Sequence, residues 1–180
     1  MKKFSLIILL QLSFLTYSQN SGVPCFTKSK IWNSDCFAYF PTQNPIINVS
    51  YSEDSSAIYT YEEFVGNHTF SLIQVDFSEP INDSLEQQTI LISYLEYLKQ
   101  QFDIAQYAGY GYGHTLESNP KTQGVIDYWE DSNKTQFAVK AWANSKHITV
   151  YFIFGKEEYP YLTVKELFFD GIRYWNLILQ

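Results

Sequence analysis

Residues 137–154 read FAVKAWANSKHITVYFIF, and the pattern of this stretch decides the fold. Two alternating runs flank Asn144 and Ser145, small polar residues that suit a turn, and Asn tolerates the left-handed backbone of a tight hairpin. A two-residue loop there sets Ala143 opposite Lys146. It then pairs Ala141 with Ile148, Val139 with Val150 and Phe137 with Phe152. These pairs are apolar and share one face, because side chains alternate along a strand. The other face carries Trp142 opposite His147, Lys140 opposite Thr149 and Ala138 opposite Tyr151, with Ile153 beyond. Tyr151 and Ile153 are too bulky and apolar for open water. Both faces are therefore expected to be covered, which makes the hairpin central in its sheet.

Working outward, 124–129 reads as a strand and 130–134 as a polar turn leading into the hairpin. Glu157 to Pro160 breaks the sheet. A helix is expected next, with Thr163 as its cap, Glu166 completing a capping box, and an apolar side of Val164, Leu167, Phe168, Ile172 and Trp175. Gly171 weakens or bends that helix. Upstream, a short strand at 35–40 stops at Pro41, and a brief one is expected at 46–49. Strands at 57–64 and 68–77 flank a Gly66 and Asn67 turn. Between these strands and the hairpin, 84–108 reads as a helix capped by Asp83 with Glu86. Leu91, Leu95, Leu98, Phe102 and Ala105 form its apolar stripe, and Gly109 sits where a C-terminal cap belongs. The fold class is α+β, a mostly antiparallel central sheet with a long middle helix and a C-terminal helix. There is no internal repeat and no second domain boundary.

Composition supports one folded domain. Of 180 residues, 46% are hydrophobic, enough for a core, and 18% are aromatic, with 15 Tyr and 14 Phe. Tyr at this density favours sheets and partner-facing surfaces. The net charge of −7, with no Lys/Arg cluster to offset it, argues against nucleic acid and against anionic membranes. Residues 1–18 read as a signal peptide: Lys2 and Lys3, an apolar run from Phe4 to Leu15, then Thr16 and Ser18 before a cleavage at Gln19. The run is too short to span a membrane comfortably, so no transmembrane segment is expected after cleavage. The chain is expected in a bacterial periplasm or outside the cell. In such a compartment Cys25 and Cys36 are expected to form a disulfide that tethers 19–35 to a single domain over 36–180. Metal ligation is the alternative, but no His or acidic pair around them has zinc spacing.

Few residues offer chemistry. His68, His114 and His147 are far apart in sequence and lack partners at metal spacing, so each reads as an ordinary strand or loop residue. His147 is expected to pack against Trp142 across the hairpin. No nucleophile elbow, Cys–His pair or EF-hand loop is present. The doublets at Glu62, Glu130 and Glu157 border turns and read as solvated residues. Four sequons, at Asn48, Asn67, Asn82 and Asn133, are of a kind that arises by chance in polar loops. No cofactor or metal is expected. Residues 107–114, YAGYGYGH, have the oddest local composition. They read either as a helix stop leading into a strand whose glycines permit close approach, or as an aromatic binding surface of Tyr107, Tyr110, Tyr112 and His114.

The stretches 37–41, 84–106, 137–154 and 167–169, in this order of elements, make the chain resemble the PsbP-like α/β/α sandwich of photosystem extrinsic proteins and a Ran-binding protein. Where that family closes with Ser-Phe, this chain has Phe169 and Asp170, and its cysteine-bearing N-terminal loop is an addition. The resemblance implies a binding or scaffold module and transfers no catalytic residue. The expectation is an exported, non-enzymatic module that docks a protein or envelope component. A small secreted hydrolase with an unrecognised site, and a periplasmic inhibitor or immunity protein, remain as alternatives.

Overall fold

The structure, a computed structural model, describes residues 24–174. The leader expected over 1–18 and the expected helix residue Trp175 lie outside them. In chain order the elements are β1 (Thr27–Lys30), β2 (Cys36–Phe40), β3 (Asn48–Tyr51), β4 (Ala57–Val65), β5 (His68–Asp76) and α1 (Ser84–Gln101). Then follow β6 (Ile104–Tyr107), β7 (Gly111–Leu116), β8 (Asn119–Asp131), β9 (Gln136–Ala143), β10 (His147–Gly155), α2 (Leu162–Asp170) and β11 (Arg173–Tyr174). The large sheet is antiparallel and runs β3-β4-β5-β10-β9-β8-β6, with β7 also paired to β8. A small sheet, β1-β2-β11, stands apart from it. The fold is α+β with a central antiparallel sheet.

The β9–β10 hairpin is central, as its two apolar faces require. Its register differs from the expected one: Ala141 faces Val150, Val139 faces Phe152 and Phe137 faces Phe154. The cause is the turn. Asn144 does not sit in the loop but opens it, its Oδ1 accepting the backbone N–H of Lys146 at 2.8 Å and of His147 at 3.0 Å. The loop is therefore Ser145 and Lys146, and neither has a positive φ. Moving the loop by one residue moves every partner by two, so each side chain keeps its face. Trp142 consequently faces Thr149 rather than His147, and His147 stacks on Tyr174 with ring centroids 5.4 Å apart.

One face of the large sheet packs against α1. Leu91, Leu95 and Leu98 meet Val125, Val139, Ala141, Val150 and Phe152, all buried. Each large side chain so buried stabilises by roughly 1.5–3 kcal/mol. The opposite face packs against the small sheet and α2, with Phe40, Phe70, Tyr151, Phe168 and Ile172 at its centre. Asp83 caps α1 as expected, accepting the Glu86 N–H at 2.8 Å.

Three expected features change. Helix α1 ends at Gln101, not near 108, because Asp103 turns the chain with φ 52 and its Oδ2 accepts a hydrogen bond from Ser132 Oγ at 2.6 Å. Asp visits this left-handed region more easily than most residues. Ala105 is exposed on strand β6, and Gly109 is no helix cap. Helix α2 begins with Tyr161 at its N-cap and no side-chain cap bond, so Thr163 lies inside the first turn. Its buried residues are Lys165, Phe168 and Phe169, while Leu167 is exposed. Gly171 closes the helix rather than bending it, and a Cβ there would meet the Leu167 carbonyl oxygen, and Tyr39 Cδ2 at 2.6 Å.

The third change is the disulfide. Both cysteines are free, Cys25 exposed and Cys36 buried. The β1–β2 ladder sets Thr27 opposite Phe40 and Lys30 opposite Phe37, so Cys25 and Cys36 lie at opposite ends of it. The four residue steps from Cys36 to Phe40 alone span about 13 Å of strand, beyond the reach of a disulfide. The expected tether is instead a strand of the small sheet. Burial pushes the Cys36 thiol far above its ordinary pKa, which keeps it protonated and unreactive.

Candidate functional site

The tyrosine-rich run is organised by a carboxylate on β8. Asp127 points from β8 toward α1 and is almost fully buried. Its Oδ1 accepts the N–H of Gly109 at 2.9 Å and of Tyr128 at 2.8 Å; its Oδ2 accepts Trp129 Nε1–H at 2.7 Å. Lys99, from the last turn of α1, brings its Nζ to 3.1 Å from Asp127 Oδ2 and 3.2 Å from Glu96 Oε1. The rings of Tyr107 and Tyr110 close over that ammonium, with centroids 3.9 and 4.2 Å away. Tyr110 also donates its hydroxyl to Glu96 Oε1 at 2.6 Å. Burial first, then the Glu96 hydrogen bond, hold the Tyr110 phenol well above its ordinary pKa. The Tyr110 bond, then Lys99, draw the Glu96 carboxyl down. Gly109, at φ 98, is the residue whose backbone can reach Asp127 in this conformation.

Three of the four expected binding residues therefore gather. Tyr107 and Tyr112 are exposed, Tyr110 is half-buried, and the Tyr110 and Tyr112 rings lie 6.1 Å apart. His114 does not join them. Gly111 pairs with Ile126, but His114 pairs with Gly124, so three residues of β7 span two of β8. This bulge, with Gly113 at φ 85, sends His114 to the opposite face of the sheet. There it borders a second cavity with Lys140, Trp142, Asp170 and Arg173.

On that same opposite face, near strand β6, helix α2 leaves a corner of the sheet uncovered. A cavity of about 430 Å³ opens there over Ala138 and Ile153, lined by Tyr107, Tyr128, Tyr159 and Glu130. Its wall is the loop carrying Glu157 and Glu158. His68 Nε2–H fixes that loop by donating to the Glu157 carbonyl at 2.7 Å, and its ring packs edge-on to Tyr159. Tyr161 meets Tyr159 with centroids 5.6 Å apart and is itself exposed. Lys165 joins α2 to the groove, 4.9 Å over the Tyr128 ring and 3.6 Å from Glu158 Oε1. Contacts run from Tyr112 through Tyr110 and Lys99 to Tyr107, which lines the groove, and Tyr159, which also lines it, meets Tyr161. Alternation alone would have found Tyr128, which is exposed on a strand between buried neighbours; Tyr159 and Lys165 carry no local signal.

One histidine does meet a carboxylate. His147 Nδ1–H donates to Asp76 Oδ1 at 2.7 Å, and Gln74 Nε2 donates to the same oxygen at 2.7 Å. The group continues through Thr149, Tyr174 and Ser34. Neither His147 nor Asp76 lines either cavity, and the nearby Cys36 is buried and protonated. The arrangement satisfies buried polar groups between the two sheets. Among the described residues, no group of three or more His, Cys, Asp and Glu is placed to hold a metal ion, and no helix is long and apolar enough to cross a membrane. In comparisons with known proteins, the chain matches no family model, no curated protein and no solved structure.

Proposed function

We propose that the protein is an exported, non-enzymatic binding module, of the PsbP-like sandwich kind, that docks a protein partner on the tyrosine-rich edge of its sheet. The observation that carries this reading is that exposed Tyr107 and Tyr128 line a groove beside β6, with exposed Tyr161 next to its lining residue Tyr159 and exposed Tyr112 next to Tyr110. Rings held by a rigid sheet offer contact area at low entropy cost, with a hydroxyl at each tip. Three carboxylates border the same groove on a chain of net charge −7; Glu130 is held by Lys134 at 2.8 Å and Glu158 lies 3.6 Å from Lys165, so exposed Glu157 is the one left to a partner. The partner therefore presents a basic side chain, which an aromatic face and a carboxylate together hold. The chain uses this chemistry internally, seating Lys165 on Tyr128 and Glu158. Export is supported by the order of residues in 1–18.

Binding of an envelope-fraction protein to the immobilised chain tests the reading. Tyr161→Ala and Glu157→Lys alter exposed side chains of the edge and should release the partner while leaving the melting temperature unchanged. Retention should also fall with added salt. Equal retention by wild type and both variants removes the proposal, as does a partner displaced by a free polysaccharide rather than by salt.

A further inference from the structure

Among the described residues, three lysines are buried against aromatic rings: Lys99 has two close carboxylates, whereas Lys165 and Lys140 each have a single one beyond hydrogen-bond length, and of these two Lys140 borders a cavity. Lys99 has two carboxylates at 3.1 and 3.2 Å. Lys165 has one at 3.6 Å. Lys140, only 5% exposed, lies 3.7 Å from Asp170 Oδ1, beyond hydrogen-bond length, and 4.8 Å over the Trp142 ring. An ammonium carries three donors, and the Lys140 Nζ is not sealed from solvent: it opens to the cavity it borders. Lys140 borders a cavity of about 330 Å³ between the β7–β8 hairpin and the end of α2. His114 and Arg173 face the same space. One edge of Arg173 is occupied, its Nη1 donating to the carbonyls of Asp170 at 2.9 Å and Ile172 at 2.7 Å.

We propose that this cavity binds the oxyanion group, carboxylate or phosphate, of a small molecule, with Lys140 as its buried cation and His114 and Arg173 at its mouth. Two carboxylates, Asp170 and Glu117, also border the space, but both are exposed to solvent. Their fields are screened by water and salt, whereas that of Lys140 acts in the interior. An oxyanion offers the acceptors that Lys140 lacks and sits against a charge that is already partly desolvated. Burial holds the Lys140 pKa down and Asp170 restores it only in part, as expected of a cation short of partners. Burial, then Lys140, likewise lower the His114 pKa. The site shares no residue with the tyrosine-lined groove and does not depend on its function.

Thermal melts and titration calorimetry with inorganic phosphate and with acetate, against chloride at equal ionic strength, test the site. One or both anions should raise the melting temperature above the chloride control. Phosphate alone identifies phosphorylated ligands, and acetate alone identifies carboxylates. Lys140→Met, which keeps the length of the side chain, should abolish the effect. Arg173→Gln, at the exposed mouth, should weaken binding at least tenfold and serves if Lys140→Met does not fold. The proposal is overturned if neither anion exceeds chloride, or if both variants bind as wild type does.

Discussion

Lys99 and Asp127 form an ion pair, Nζ to Oδ2 3.1 Å, with side chains only 6% and 1% exposed. This pair joins the last turn of α1 to the middle of β8, and the tyrosine-rich run is folded over it. Removing one partner of a buried pair leaves the other uncompensated. Lys99→Met should therefore cost about 3 kcal/mol. Asp127→Ala should cost at least as much, because three N–H donors lose their acceptor with it. Urea unfolding of the two variants measures both.

Tyr110 and Tyr112 are adjacent in space but differ in their duties. Tyr110 contacts Lys99 and donates to Glu96, so Tyr110→Ala should destabilise by about 1–3 kcal/mol. Tyr112 is exposed, and Tyr112→Ala should stay within about 0.5 kcal/mol of wild type. Equal losses from both changes would contradict the structure at this edge.

Several phenols titrate above their ordinary range. Burial first pushes Tyr59 and Tyr159 up to about 12, and it holds Tyr110, Tyr151 and Tyr174 well above their ordinary value. In the unfolded chain these groups lose protons near pH 10. Above that pH the unfolded state binds fewer protons than the folded one, so stability falls as pH rises. Below it, these tyrosines add no pH dependence. Phenolate absorbance should thus rise gradually for exposed tyrosines and in one steep, unfolding-linked step for the buried ones.

The two cysteines should behave as separate thiols. Cys25 is exposed and should react with a thiol reagent in the native protein, whereas Cys36 should react only after unfolding. A non-reducing peptide map that joins them would refute the β1–β2 register.

Much of the sheet was legible because alternation is local. Phe137, Val139, Ala141, Ile148, Val150 and Phe152 share the expected face, and Gly66 and Asn67 turn the chain between β4 and β5 as expected. The hairpin register was not legible, since Asn144 suits both a loop position and the turn-opening position, and only its side-chain bonds separate the two. The end of α1 depends on Asp103 meeting Ser132, 29 residues away. The site was half legible: glycines beside Tyr110 and Tyr112 signalled an unusual surface, but a single-residue bulge removed His114 from it. A lysine on a helix reads as solvated, and nothing near Lys99 in sequence announces that Asp127 waits beneath it.

The central claim is that a protein docks on the tyrosine-rich edge beside β6. Its most direct test is site-specific photo-crosslinking in the native host, with the reactive residue placed at Tyr161 and, as a control, at Leu85, which is exposed at the start of α1. The account predicts one discrete protein adduct from position 161, lost in the presence of Glu157→Lys, and none from position 85. No adduct from position 161, or the same adducts from both positions, would contradict it.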